Sequence, residues 1–187
     1  GITVEHDDIP SDIVTFKDAN LEKAIREALE IPTELLKKED LEKLEELVVD
    51  GRNLAKDKRI VDLTGVEYCT SITNINLYTH ALSDISPLSN LKTLTGLGVG
   101  NNQIKDISPL SKLTGLTNLD IHGNHIDDLS PLSNLTKLTW IHLHNANKDG
   151  AKWDLSALSN LTNLSGIDLY MNGISDISVF AKLTNLR

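Results

Sequence analysis

A unit of 22 residues recurs along this chain, and no other feature limits the fold as much. Copies begin at Cys69, Leu91, Leu113, Leu135 and Leu161. The copy from Leu113 places apolar side chains at Leu113, Leu116, Leu119, Ile121, Ile126, Leu129 and Leu132. The copy from Leu91 repeats the spacing with Leu94, Leu97, Val99, Ile104, Ile107 and Leu110; the copy from Leu161 does so with Leu164, Ile167, Leu169, Ile174, Ile177 and Phe180. Around Leu119-Asp120-Ile121, apolar and polar residues alternate, which predicts a short strand with one buried face. One such coil cannot bury its own apolar side chains, so successive coils must stack. At roughly 1.5–3 kcal/mol per buried aliphatic side chain, six or seven per coil offset much of the ordering entropy.

The polar positions of the unit have mechanical readings too. Asn102, Asn124 and Asn172 share one slot after the strand, where stacked amides can satisfy backbone groups that would otherwise be buried unpaired. The return leg reads Asp-Ile-Ser-Pro-Leu at 84–88 and 106–110. Serine before proline suits the cap and first position of a short helical turn. Cys69 stands where other copies carry leucine, so it is expected to be a packed core thiol, and a lone cysteine forms no internal disulfide.

The 22-residue unit with N-x-I-x-D-I-S-P-L resembles the leucine-rich repeats of the internalins, surface proteins of Gram-positive bacteria. The resemblance runs over 16–187. It includes Phe16-Lys17-Asp18-Ala19-Asn20-Leu21 with the segment 22–29, similar to that family's helical cap, and 62–68, similar to its junction between cap and repeats. It implies a right-handed α/β-type leucine-rich-repeat solenoid, with a parallel concave sheet, short 3-10 turns on the convex side and an N-terminal helical cap. It also implies export, surface attachment through other segments and ligand binding by the concave sheet.

The chain divides into a leader or linker at 1–15, a helical cap at 16–40 and the solenoid at 41–187. Within the solenoid, 41–68 is a stretched, degenerate coil, 69–182 are regular coils and 183–187 begin another. Asp18 is expected to cap a helix reaching Leu29, with Leu21, Ala24, Ile25 and Ala28 on one face. A second helix is expected to start near Thr33 and include Leu35 and Leu36, with Leu41 a candidate for its far end. The opening residues and the unfinished last repeat suggest a piece of a longer protein. One regular copy, 135–160, carries four extra residues near Lys148-Asp149-Gly150-Ala151, with Ala146 in the asparagine slot; it reads as a tolerated loop insertion or, alternatively, a specificity element.

The formal charge of −9, from 27 acidic and 18 basic residues, argues against nucleic acid and anionic membrane surfaces as partners. No apolar run approaches the ~20 residues that span a bilayer, so direct membrane insertion is not expected.

Three columns of the sheet are expected to face outward. They read Asn74, Gly96, Asn118, Trp140, Gly166; then Asn76, Gly98, Asp120, His142, Asp168; then Tyr78, Gly100, His122, His144, Tyr170. No lysine or arginine enters them, whereas three of the six histidines do. Exposed aromatics with histidine and little lysine is the composition of a protein-recognition patch. The candidate contacts are Tyr78, Asp120, His122, Trp140, His142, His144, Asp168 and Tyr170, with Gly96, Gly98 and Gly100 a bare floor between them. The partner is expected to be a host or environmental protein, with carbohydrate a second candidate, at an extracellular bacterial surface or in secreted form.

A metal- or haem-linked role for the histidine cluster, with His122, His142, His144 and Asp120 as ligands, is the sharper alternative. Against it, a flat sheet splays side chains instead of converging them, and no second shell is evident, so no cofactor or metal is expected. A spacer between other domains is a further alternative. Catalysis is not expected: the repeated serines belong to turns on the far side from the histidines, and neither a phosphate loop nor a dinucleotide fingerprint occurs.

Overall fold

The computed structural model describes residues 10–187. Six short strands, one per coil, form a parallel sheet in sequence order: β1 (Glu46–Val48), β2 (Asn74–Asn76), β3 (Gly96–Gly98), β4 (Asn118–Asp120), β5 (Trp140–His142) and β6 (Gly166–Asp168). The pairing is unslipped: Ile75, Leu97, Leu119, Ile141 and Ile167 lie side by side in one row. These residues face a continuous aliphatic core, in which Leu113, Leu116, Leu119, Ile121, Ile126, Leu129 and Leu132 are at most 1% exposed. Cys69 is part of that core, and burial pushes its thiol up to about 12. In the last copy Ile177 is 60% exposed, because no further described coil covers it.

Opposite the sheet, 3-10 turns recur at Ser86–Leu88, Ser108–Leu110, Ser130–Leu132, Leu155–Leu158 and Ser178–Lys182. Serine is the first residue in four of the five and the second in Leu155–Leu158, but in every turn the cap is the aspartate two residues before that serine. Asp84, Asp106, Asp128, Asp154 and Asp176 each accept a hydrogen bond from the backbone N–H two residues on, at 2.8–3.0 Å. A carboxylate accepts more strongly than a hydroxyl, which explains the recurrence of aspartate.

The asparagine ladder is continuous where asparagine is present. Asn102 accepts from Leu82 N–H and donates to the carbonyls of Leu77, Val99 and Gly100. Asn124 repeats this with Ile104 N–H and the carbonyls of Val99, Ile121 and His122. The slot in the coil of β2 holds His80, which is only 4% exposed. Its Nδ1 accepts from Ile60 N–H at 2.9 Å, and its Nε2 lies 2.7 Å from the Val49 carbonyl. A histidine thus performs the asparagine's task, with one acceptor and one donor facing the preceding coil. Where Ala146 fills the slot, the Ala146 carbonyl accepts from Ile126 N–H at 2.8 Å, and Trp153 Nε1–H donates to the Ile126 carbonyl. The inserted residues are clasped by Asn147, whose amide donates to Ala151 O and accepts from Ala151 N–H, each at 2.7 Å. His125 Nδ1 meets Asp149 Oδ1 at 2.7 Å, tying this loop to the preceding coil.

The cap centres on α1 (Ala19–Leu29), with Leu21 and Ile25 buried. Asp18 accepts from the N–H groups of Asn20 and Leu21 with one oxygen and from Val61 and Asp62 with the other, joining helix to first coil. The second helix is shorter and later than expected: α2 spans Lys38–Leu41, and Leu35 stays 67% exposed. The residues before α2 are extended because they pair with the segment expected to be a linker. Ile13 bridges Lys37, Val14 N–H donates to Leu36 O, and Val14 is buried. The cap therefore recruits residues ahead of position 16; residues 1–9 of the expected leader lie outside the described residues.

Candidate functional site

Strand pairing puts the first two outward columns in the expected order, Asn74–Gly96–Asn118–Trp140–Gly166 and Asn76–Gly98–Asp120–His142–Asp168. Backbone bonds beyond the strands continue the third: Thr79 N–H donates to Gly100 O, Asn101 to His122 O, Gly123 to His144 O and Asn145 to Tyr170 O. Neighbouring strands stand about 4.8 Å apart, and the third column shows what that spacing does to rings. His144 is sandwiched between His122, with centroids 4.4 Å apart and 13° between planes, and Tyr170, at 4.8 Å and 6°.

Gly98 and Gly100, in and just beyond β3, are not a bare floor. A Cβ at Gly98 would lie 2.8 Å from the Tyr78 hydroxyl, and one at Gly100 would overlap the His122 ring. The two side chains lean over the glycine coil from either side, with ring centroids 5.8 Å apart, and Tyr78 Oη–H donates to Asp120 Oδ2 at 3.0 Å. Burial in the first place, and then the Asp120 charge, pushes the Tyr78 phenol up to about 12. On the other flank the Trp140 ring lies across Gly166, where a Cβ would collide with it. Trp140 remains 37% exposed and Tyr170 60% exposed.

Two carboxylates organise the imidazoles. Asp120 Oδ1 meets His122 Nδ1 at 2.5 Å and accepts from His122 N–H at 3.1 Å. Asp168 Oδ2 lies 2.9 Å from His142 Nδ1 and 3.1 Å from His144 Nδ1, while its Oδ1 accepts from Leu143 and His144 N–H at 2.7 and 2.9 Å. Burial raises both carboxyls, but these hydrogen bonds outweigh it, and each is held below the ordinary carboxylate range. The expected grouping of His122, His142 and His144 around Asp120 is therefore corrected: Asp120 serves His122 and Tyr78, and Asp168 gathers His142 and His144. The sheet face does not splay these groups, because an aspartate on the neighbouring strand reaches both imidazoles at once.

All eight candidate residues thus lie on one face: Tyr78, His122, His144 and Tyr170 in one row, with Asp120, His142, Asp168 and Trp140 in the two columns beside it. The concavity at its near end, lined by Asn74, Asn76, Tyr78, the glycines of β3, Asp120 and His142, encloses about 160 Å³. That is smaller than the ~300–1,000 Å³ of a small-molecule pocket, so the face is a shallow surface.

Stacked 22-residue coils, a parallel sheet in sequence order, an asparagine ladder and a helical cap define a leucine-rich-repeat solenoid. The family model for leucine-rich repeats (two copies) matches residues 92–134. Among solved structures, the chain is similar to an internalin (InlF) from Listeria monocytogenes, with TM-score 0.72 and 36% identity over 91% of this chain and 55% of that one. It is also similar to internalin C2 (InlC2) from the same species, with TM-score 0.66 and 26% identity over 91% of this chain and 82% of that one. A search of curated proteins by sequence found no match. The chain has the leucine-rich-repeat fold of the internalin type, and it spans about half the length of InlF.

Proposed function

We propose that the chain is the ligand-binding module of a bacterial surface or secreted protein, and that it engages a host or environmental protein through the concave sheet. The observation that carries this reading is the unbroken row of Tyr78, His122, His144 and Tyr170, flanked by Trp140 and two carboxylates. Preordered aromatic rings lose little conformational entropy on binding, and such rings dominate the energy of protein interfaces. With Asp120 and Asp168 beneath the rings and no lysine or arginine in the columns, the complementary surface is basic or rich in hydrogen-bond donors. A shallow, extended face suits a macromolecule better than a small ligand, and its likeness to the internalins supports a binding scaffold over an enzyme.

The test is capture by the immobilised chain from host-cell and environmental extracts, repeated with Trp140→Ser/His144→Ala and with a convex-side variant, Lys112→Glu. A partner held by the native chain and by the convex-side variant, and lost from the double variant, supports the reading. Equal capture by all three would leave the concave face without a role and favour the spacer.

A further inference from the structure

We infer that His142, His144 and Asp168 form a zinc-binding site on the sheet face, occupied through His142 Nδ1, His144 Nδ1 and Asp168 Oδ2. The three ligands belong to this chain alone and need no protein partner.

The ligand atoms of these three residues lie within 4.8 Å of one another, and Oδ2 sits 2.9 and 3.1 Å from the two ring nitrogens. With zinc bonds of about 2.0–2.1 Å, tetrahedral ligand atoms stand about 3.3 Å apart. Small side-chain rotations therefore suffice, and the remaining coordination positions face outward, open to water or a further donor.

All three ligands are held by their neighbours. Asp168 is held by two backbone N–H groups on its other oxygen, so Oδ2 is aimed while Oδ1 is anchored. His144 is fixed between the His122 and Tyr170 rings, and His142 packs against Trp140 with centroids 5.5 Å apart. Such outer contacts orient ligands and strengthen metal sites. They arise here because three coils contribute to one spot, which a single coil's sequence does not display.

The metal-free arrangement is also internally conflicted. Trp140 Nε1–H donates to His142 Nδ1 at 3.3 Å, which requires a lone pair on that nitrogen, whereas its 2.9 Å contact to Asp168 requires a proton there. A cation at the centre uses the lone pairs of both imidazoles and the carboxylate together, which removes the need for a proton on His142 Nδ1 and leaves the exposed Trp140 Nε1–H to water. Each ring then carries its proton on Nε2, on its outer side. The chain's net negative charge favours the ion, and no ammonium or guanidinium stands in the three columns to compete with it.

The test is calorimetric titration of zinc into the tag-free chain, with cobalt as a spectroscopic substitute. One ion should bind per chain, and cobalt should develop the visible bands of a low-coordinate N/O site. His142→Ala and Asp168→Asn should each weaken zinc binding by more than roughly tenfold, while His125→Ala, at the separate His125–Asp149 pair, should leave it unchanged. Asp168→Asn keeps an oxygen for the two backbone N–H groups, so its loss reports on the ion and not on folding. Absence of saturable zinc binding by the native chain overturns the inference, as does binding that survives both substitutions.

Discussion

Replacing His80 tests the reading that a histidine substitutes for the ladder asparagine. His80→Ala leaves Ile60 N–H and the Val49 carbonyl without partners in a region where Ile60 is only 1% exposed. Each such orphan costs about 1–3 kcal/mol, so the variant should lose about 2–6 kcal/mol. His80→Asn restores an acceptor for Ile60 and a donor for Val49, as Asn102 does one coil on, and should come within about 1 kcal/mol of the native chain.

The histidine adds something that asparagine lacks. Burial first, and then the nearby Arg59 guanidinium, hold the imidazole below its ordinary range; the bond to Val49 and the carboxylates of Asp18 and Asp50 oppose them. The native state needs Nδ1 unprotonated, whereas the unfolded chain protonates His80 at about 6.5. Above that pH the stabilisation is complete. As the pH falls below it, the unfolded chain binds a proton that the folded one refuses, and about 1.4 kcal/mol is lost per unit until the folded value is reached. Urea unfolding of the native chain and of His80→Asn, at about pH 7.5 and about pH 5, should show a steeper acid loss in the native chain. An identical acid loss in both, or a His80→Ala cost below about 1 kcal/mol, would refute the assignment.

Gly100→Val would drive a side chain into the His122 ring and dislodge it from the His144–Tyr170 stack; urea unfolding should change by less than about 2 kcal/mol while capture of the partner falls at least tenfold. Asn124→Ala removes one acceptor and three donor contacts at a fully buried position and should cost about 2–5 kcal/mol by the same assay. Cys69, buried and with its thiol pushed up to about 12, should resist alkylation at neutral pH in the folded chain and react fully after unfolding, as mass spectrometry would show.

The solenoid was legible because its period of 22 is longer than any local preference and because each apolar position recurs. Strand register and outward columns followed from alternation alone, since slipping Leu119 by one residue would expose it. What escaped involved contacts between unlike coils. His80 sits at the asparagine position of its own copy, and counting eleven residues from Cys69 would have found it, but its ring chemistry differs from an amide's. The hydroxyls of Thr95, Thr117, Thr139 and Ser165 each donate to the carbonyl at the equivalent place one coil back, a second ladder that reads in sequence as ordinary polar spacing. The extended segment before α2 reads locally as helix, because its pairing partner, 12–14, lies more than twenty residues away in sequence. On the face itself, the eight residues were identifiable by parity, but the pairing of Asp168 with two imidazoles depended on side-chain reach across strands. The glycines read as empty because a missing side chain gives no sign of which neighbour will lie over it.

The coil of β5 is four residues longer than its neighbours, yet Trp140 still faces Gly166 and Ile141 still faces Ile167. The surplus is discharged sideways, through the Asn147 clasp and the Trp153 tether, before the chain re-enters the sheet. Length along the polypeptide and position across the array are thus separately adjustable. An architecture of this kind can acquire a flank projection at any winding while the lattice of outward groups keeps its pitch.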